Sequence, residues 1–385
     1  MEICNLTSCT GCGMCSNICP VGAITMQNGV NDFIFPKVDD SVCIKCNQCV
    51  KKCPANQPID KQENVRHTYA AWNRDKKIRQ GSTSGGVFSA LAEYVIENGG
   101  VVVGVAIYGA HAKHIAVDNK KDLQMLYRSK YVQSNTGDIY NQIKKYLQSG
   151  RTVLFSGTPC QNHALRQIIG ENDNLFQVDI ICHGVPSEKM LERQLQEIGT
   201  SSPAEKVTFR YKNPNWDYFD MKYDFSDGSE VKVLGVNDEY FHLFNIGDSI
   251  RKSCHECHYT NTHRQGDITL ADFWGYVPNS LKMSRFYKGV SLVLTNTSKG
   301  EELFNKIKER LVYEESSLEI AKKGNQCLRE PFKISEDVLD GFWNDYEAGL
   351  SLSELSKKYA PKKFKRPSLL WLRHIKNQYK WIIKR

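Results

Sequence analysis

The chain has 385 residues, of which 41% are hydrophobic and 24% charged, a composition typical of a folded globular protein. At roughly 150 residues per domain, this length predicts two or three domains. The longest apolar stretch, residues 101–107, has the length of a strand, so no transmembrane helix is expected. The first residues lack the basic and apolar segments of a signal peptide, and we therefore expect a cytoplasmic protein.

The net charge of +8 comes from the C-terminal end of the chain. Residues 357–385 contain eleven Lys and Arg and no acid, which leaves 40 basic and 43 acidic residues in 1–356. A nucleic-acid-binding domain carries its basic residues on a folded face, and this slightly acidic body does not have that composition. The sequence therefore predicts no nucleic-acid partner.

Eight of the 14 cysteines lie between residues 9 and 53, in two C-x2-C-x2-C-x3-C-P repeats 34 residues apart. In two-cluster ferredoxins, the fourth cysteine of each repeat binds the other cluster. We therefore assign one 4Fe-4S cluster to Cys9, Cys12, Cys15 and Cys53, and a second to Cys43, Cys46, Cys49 and Cys19. Two zinc sites are the alternative, but zinc has no need for a repeated third and fourth cysteine with a trailing proline. Cys4 lies outside the pattern.

This pattern predicts a ferredoxin-like domain over residues 1–58, followed by a polar linker at 56–66. After the linker, a turn of small residues at 81–86 precedes apolar residues with helical spacing, and Gly99 and Gly100 would end that helix. Residues 101–107 then predict a buried strand. Free backbone N–H groups at such a turn suit an anion such as a dinucleotide phosphate. Gly-Ser turns before helices are nevertheless common without any ligand.

Two strand–turn–helix units follow, with strands at 152–155 and 175–181 and helices through 169 and from 188. Their order predicts parallel strands whose turns share the carboxyl edge of one sheet, where ligands collect. Residues 206–212 and a hairpin at 227–228, between 219–225 and 230–233, predict an added antiparallel section.

Four cysteines of this body, Cys160, Cys182, Cys254 and Cys257, would complete a third cluster if they meet in space. Alternatively, Cys160 and Cys182 are small buried side chains, and Cys254 and Cys257 form half of a zinc site. Cys327 is interpreted as structural.

Several short motifs in one order resemble the beta-subunit family of the deazaflavin (coenzyme F-420) hydrogenases and dehydrogenases. They lie at residues 81–88, 131–134, 157–161, 182–187, 254–257 and 272–275. The resemblance spans about residues 67–330, behind a ferredoxin-like head as in many bacterial members. One position departs from the family, because Ala271 stands where a glycine is frequent.

The resemblance implies an iron–sulfur flavoprotein with an α/β fold, consisting of the small head and a mixed-sheet body over 67–330. It implies FAD contacts at Ser82, Thr83, Ser84, Gly85, Gly86, Lys130, Gln133, Ser134 and Thr158. It also implies that the four body cysteines hold a cluster. It identifies neither a catalytic side chain nor the substrate.

The predicted function is an oxidoreductase that passes electrons between a ferredoxin-type carrier, or a partner redox subunit, and a substrate through clusters and FAD. The alternatives are an electron-transfer adaptor that feeds a separate catalytic partner, and a zinc scaffold.

Residues 331–385 predict a helical extension with a basic amphipathic tail at 367–385. Such a tail fits either the inner surface of an anionic membrane or a protein partner.

Overall fold

The computed structural model describes residues 1–57, 60–199, 202–213 and 215–361. The amphipathic tail predicted at 367–385 therefore lies outside the described residues. In the head, two cysteine loops precede helices α1 (Met14–Ile18) and α2 (Gln48–Lys51). An antiparallel hairpin of β1 (Ile24–Asn28) and β2 (Ile34–Val38), which the cysteine pattern did not predict, connects the two repeats.

The strands of the body are β3 (His67–Asn73), β4 (Val101–Tyr108), β5 (His111–Val117), β6 (Val153–Gly157), β7 (Leu175–Ile180), β8 (Ala204–Tyr211), β9 (Asp220–Phe225), β10 (Glu230–Leu234), β11 (Ile268–Asp272), β12 (Ser291–Thr295) and β13 (Leu311–Glu315). Among the described residues, eight of them form one sheet in the order β13-β3-β12-β11-β7-β6-β4-β5, and β10-β9-β8 form a smaller one. The predicted α/β class is confirmed.

The body's helices are α3 (Lys76–Gly81), α4 (Val87–Glu97), α5 (Lys120–Leu123), α6 (Ile139–Gln148), α7 (Pro159–Ile169), α8 (Glu188–Glu197), α9 (Glu239–Ile246), α10 (Lys252–His255), α11 (Ser298–Ile307), α12 (Leu318–Gly324), α13 (Glu336–Glu347) and α14 (Leu352–Tyr359). Short 3-10 turns lie at Val30–Asp32, Pro54–Asn56, Gln124–Leu126, Leu281–Met283, Phe286–Lys288, Lys308–Arg310 and Gln326–Leu328.

The middle of the large sheet is parallel, because β4, β6, β7 and β11 pair side by side in the same direction. The turns after β6 and β7 therefore leave the same carboxyl edge, as the strand–turn–helix pattern predicts. The hairpin around residues 227–228 also forms, between β9 and β10.

The two faces of the large sheet bury different partners. Helices α4 and α11 cover one face, with Leu91 and Phe304 fully buried in that layer. On the other face, side chains of α6 and α7 share a core with the head, where Met14 packs in the same cluster as Tyr140 and Phe155. The head is therefore built onto the body, and its clusters lie next to the sheet.

Helices α13 and α14 pack against α9 and α8, and their Phe342 and Leu355 are buried in the core that the small sheet shares. In the described part of the predicted extension, 331–361, the helices complete the body. No helix among the described residues is long and apolar enough to cross a membrane.

Candidate iron–sulfur and cofactor site

A cavity of about 620 Å³ opens at the carboxyl edge of the parallel strands. Its walls come from the turn before α4, from residues 126–134, from the turns after β6 and β7, and from the segment around α10. Most of the predicted cofactor residues line it, namely Ser82, Thr83, Ser84, Gly86, Lys130, Gln133, Ser134 and Thr158. So do the four body cysteines, Cys160, Cys182, Cys254 and Cys257.

The fold brings the four body cysteines together from three separate segments. Cys160 lies in the first turn of α7 rather than in the preceding turn, Cys182 follows β7, and Cys254 belongs to α10. Burial raises the pKa of Cys182 well above its ordinary value, and the nearby sulfurs of Cys254, Cys160 and Cys257 raise it further. Burial likewise raises the pKa of Cys254 to about 12, with Cys160 adding to the effect. Buried, mutually repelling sulfurs of this kind are stabilised as thiolates by a bound metal, and four of them fit a 4Fe-4S cluster.

The first head cluster is assigned to residues that the fold also gathers. Burial raises the pKa of Cys15 most, and the sulfurs of Cys12, Cys9 and Cys53 each raise it further. The inner quartet, Cys9, Cys12, Cys15 and Cys53, thus crosses the two repeats as in a two-cluster ferredoxin.

The remaining head cysteines form the outer quartet, Cys19, Cys43, Cys46 and Cys49. Burial raises the pKa of Cys49, and Cys19 and Cys46 contribute from nearby. In contrast to the other quartets, this one reaches the surface, because Cys46 is exposed and Cys43 half-buried. Iron ligation by all three quartets remains a prediction from the donor sets.

Cys4, which the repeat pattern left unassigned, lies beside the inner quartet. Hydrogen bonding with Cys53 and then with Cys9 raises its pKa. Its sequence position gave no signal of this, because it stands outside the C-x2-C spacing.

The inner quartet and the body quartet are neighbours. Burial raises the pKa of Cys12 to about 12, and the largest charge effect on it comes from Cys160. The Thr10 hydroxyl lowers the pKa of both thiols by hydrogen bonding. Tyr140 joins the same junction by donating its hydroxyl to the Cys12 carbonyl at 2.9 Å. The three quartets therefore run from an exposed surface of the head to the wall of the cavity.

The turn before α4 offers backbone rather than side chains to a ligand. Ser82 donates its hydroxyl to the Ile78 carbonyl at 2.7 Å, and Ser84 donates to the Val290 carbonyl at 2.8 Å. The Thr83 hydroxyl accepts the Ser129 N–H at 2.8 Å. No side chain caps α4, so its first N–H groups remain available for an anion.

Gly85 has a structural role that differs from the expected phosphate contact. It does not line the cavity. A Cβ at this position would lie 2.3 Å from the Ala71 carbonyl oxygen and 2.9 Å from the Ser291 hydroxyl. The glycine thus allows the turn to pack against β3 and β12, and this contact sets the position of the neighbouring residues that do face the cavity.

The other predicted contacts are largely held by protein partners. The Lys130 ammonium donates to the carbonyls of Met125, Tyr127 and Arg128 at 2.7–3.2 Å, and thereby shapes the cavity wall. Gln133 donates to the Thr10 carbonyl at 3.2 Å and so connects body to head.

Ser134 and Thr158 are similarly engaged. The Ser134 hydroxyl accepts from Gln161 at 3.0 Å, and the Thr158 hydroxyl lies 3.0 Å from the Cys160 sulfur. Of the predicted histidines, His183 and His255 bind the carbonyls of Phe244 and Phe332, which agrees with their expected structural role.

Sequence reasoning missed two basic residues of the cavity. Arg128 lines it in a left-handed backbone conformation (φ 70°), and its buried Nη1 has no hydrogen-bond partner among the described residues. Arg210 is buried against Asp272, which also accepts the Trp216 indole N–H at 2.7 Å. An arginine that lies about 60 residues before its carboxylate gives no local sequence signal.

The chain was compared with known proteins. Residues 8–57 match the family model of a 4Fe-4S dicluster domain. Residues 68–139 match the model for the N-terminal part of the coenzyme F420 hydrogenase/dehydrogenase beta subunit, and residues 150–320 match the model for its C terminus. The two beta-subunit models together cover most of the body.

Two curated relatives are similar over much of the chain. The F subunit of the F(420)H(2) dehydrogenase from Methanosarcina mazei is 25% identical over 290 residues, which are 70% of this chain and 78% of that protein. The coenzyme F420-dependent sulfite reductase of Methanocaldococcus jannaschii is 24% identical over 354 residues, 86% of this chain. The match spans half of the length of that reductase.

Among solved structures, a chain of the F420-reducing [NiFe] hydrogenase complex from Methanosarcina barkeri aligns with a TM-score of 0.47 and 17% identity. The alignment covers 81% of this chain and 99% of that chain. The sequence motifs, the dicluster head and the consecutive matches to both beta-subunit models agree with one another. The chain belongs to the beta-subunit family of the coenzyme F420 hydrogenases and dehydrogenases, with a 4Fe-4S dicluster domain in front.

Proposed function

We propose that this chain is an iron–sulfur, flavin-dependent oxidoreductase that moves electrons between a ferredoxin-type carrier at the head and a substrate in the cavity. The observation that carries the proposal is the alignment of three cysteine quartets. The outer one is exposed at Cys46, the inner one touches the body at Cys12, and the third lines the cavity.

Clusters on these quartets would transfer single electrons, and a flavin in the cavity would exchange one or two with an organic substrate. The protein's part is to keep the quartets close and dry. Cys12 and Cys160 are buried at the junction, so water is excluded between the two inner donor sets.

The cavity fits a cofactor that combines a flat ring with a phosphate. Its volume is in the range of ordinary cofactor sites. The uncapped start of α4 and the unpartnered Nη1 of Arg128 provide N–H donors for an anion. Trp274 also lines the cavity, stacked on Trp216 at 4.7 Å between ring centroids, and its open face suits a planar ring. FAD is the cofactor proposed for this site, and a deazaflavin is the first substrate to test because the relatives' names refer to coenzyme F420.

The test begins with anaerobic purification and quantification of iron, sulfide and FAD. Three clusters correspond to about twelve irons per chain, and one FAD is expected. The protein should then oxidise or reduce a deazaflavin when supplied with a ferredoxin or a viologen. An iron content of two clusters, zinc in the body quartet, or a flavin-free cavity would contradict the proposal.

The body quartet has a matched control nearby. Cys257→Ala should remove about four irons and leave the spectroscopic signals of the head clusters unchanged. Cys327 is a buried thiol close enough to affect Cys257 but is not assigned as a ligand. Cys327→Ala should keep the full iron content. Equal iron loss in both variants would mean that the ligand set is wrong.

A second candidate is an electron-transfer subunit that feeds a separate catalytic partner. Exposed apolar side chains near the cavity favour it, since Val277 is 59% and Leu281 71% exposed, in the segment that follows Trp274. Turnover of the deazaflavin by the isolated chain would support the enzyme, whereas turnover only with an added subunit would support the adaptor.

A further inference from the structure

Arg251 is a buried cation at the junction of head and body. Its side chain is among the largest in the described chain that are fully buried, with 2% exposure. Nε donates to the Cys9 carbonyl at 2.6 Å, and Nη1 donates to the Ile34 carbonyl at 3.0 Å. Gln133 accepts from the same Nη1 at 3.3 Å. The guanidinium thus spans both parts of the molecule.

The charge of Arg251 has no carboxylate partner within ion-pair distance among the described residues. Its Nη2 is buried and lacks a hydrogen-bond acceptor there. The face of Phe35 covers the guanidinium at 4.1 Å from the ring centroid. Burying an unpaired cation is costly, so a negative group that the polypeptide does not provide is expected beside it.

The sulfurs of two quartets surround this cation. Burial lowers the pKa of Arg251, while Cys9, Cys254 and Cys160 counteract that effect. Cys9 belongs to the inner quartet, whereas Cys160 and Cys254 belong to the body quartet. Thiolates and the clusters they bind carry negative charge, which matches what the guanidinium lacks.

We propose that Arg251 is a positioning residue that raises the reduction potentials of the inner-head and body clusters together, with its free Nη2 directed at their sulfurs. The inference rests on the proposed function, since it requires clusters on both quartets. A fixed positive charge in a dry site stabilises the added electron, and an N–H donor to a cluster sulfur acts in the same direction. The outer quartet lies away from Arg251 and keeps a lower potential. Electron flow from the surface inward is thereby favoured.

The test is an anaerobic redox titration with dithionite, followed by electron paramagnetic resonance so that each cluster is measured separately. Arg251→Gln removes the charge and should shift two of the three potentials to more negative values, leaving the third unchanged. Arg251→Lys keeps the charge but loses the planar fork, and its shifts should be smaller. Unchanged potentials in Arg251→Gln, or an equal shift of all three, would overturn the inference.

A matched control separates electrostatics from folding. Arg264 is equally buried but paired with Asp179 at 3.0 Å. Arg264→Lys should lower stability without moving any potential. If Arg251→Gln does not load iron, the Arg251→Lys titration decides, and unchanged potentials in that variant would overturn the inference. A wild-type protein that lacks the third cluster would instead overturn the proposed function.

Discussion

The two cluster loops of the head, residues 9–15 and 43–49, share one backbone conformation but carry different side chains. Gly11 and Gly13 have φ values of 65° and 74°, and their counterparts 34 residues later, Lys45 and Asn47, have 56° and 58°. All four are left-handed, a conformation that favours glycine. Only the first loop uses glycine, so conformation alone does not explain the choice.

The difference lies in what each loop faces. A Cβ on Gly13 would lie 2.1 Å from the Thr136 hydroxyl, and a Cβ on Gly11 would lie 2.3 Å from the Gln133 amide. Lys45 and Asn47, by contrast, are exposed. The first loop is docked on the body, whereas the second is open to solvent and to partners. One repeated motif thus provides an internal and an external terminal for electron transfer.

The largest difference is expected between Cys12→Ala and Cys46→Ala. Each should lose about four irons, because a cubane tolerates a missing thiolate poorly. Cys12→Ala should also abolish delivery of electrons to the cavity from any donor to the outer quartet. Cys46→Ala should lose delivery from a protein carrier but retain reduction by a small viologen. Iron analysis and stopped-flow reduction with both donors measure this. Identical behaviour with both donors would break the distinction between the loops.

The glycines provide the next test. Gly13→Ala combines left-handed strain with a steric clash and should destabilise the protein by about 2–4 kcal/mol, with slower transfer from head to body. Asn47→Ala at the matching position should cost about 1 kcal/mol and leave transfer unchanged. Urea unfolding measures the free energy of unfolding. Equal costs at the two positions would show that docking does not select glycine.

A smaller effect is expected where Thr10 and Ile44 correspond. The Thr10 hydroxyl is shared between the thiols of Cys12 and Cys160, whereas Ile44 is 61% exposed. Thr10→Val removes one donor to sulfur, which should slow transfer between the inner quartets by about threefold to tenfold and lower the potential. Ile44→Val should change neither quantity. Transfer kinetics after flash reduction can measure the difference, and an unaltered Thr10→Val rate would argue against this route.

The smallest effect concerns charge at the open loop. Residues 41–55 contain Lys45, Lys51 and Lys52 and no acid, and all three lysines are exposed. Lys51→Gln with Lys52→Gln should reduce the association rate of an acidic carrier several-fold at low salt, and high salt should remove the difference. Lys306→Gln with Lys308→Gln, near edge strand β13, serves as the control. A reduction in both double variants would place the entry point elsewhere.

The cysteine spacing and the strand–turn–helix order, both local features, predicted the head, the parallel strands and the shared carboxyl edge. The C-x2-C-x2-C-x3-C-P repeats were sufficient to pair Cys53 with the first loop, because ligand spacing on one short segment nearly determines the geometry. The residues of the turn before α4 were also identified, although their hydroxyls bind the protein rather than lie free. The hairpin β1–β2 and the flanking strands β3, β12 and β13 escaped prediction, since their apolar runs are short.

The sequence by itself determined the donor chemistry: three sets of cysteines, a small-residue turn before a helix, and the motifs of the beta-subunit family. Only the tertiary structure decided which sets are adjacent, because Cys160, Cys182 and Cys254 are up to 94 residues apart and meet through the packing of parallel strands. The same packing enclosed Arg251 between two quartets and left Cys46 at the surface. Burial and neighbouring charge are properties of the folded chain, and they distinguish chemically identical thiolates from one another.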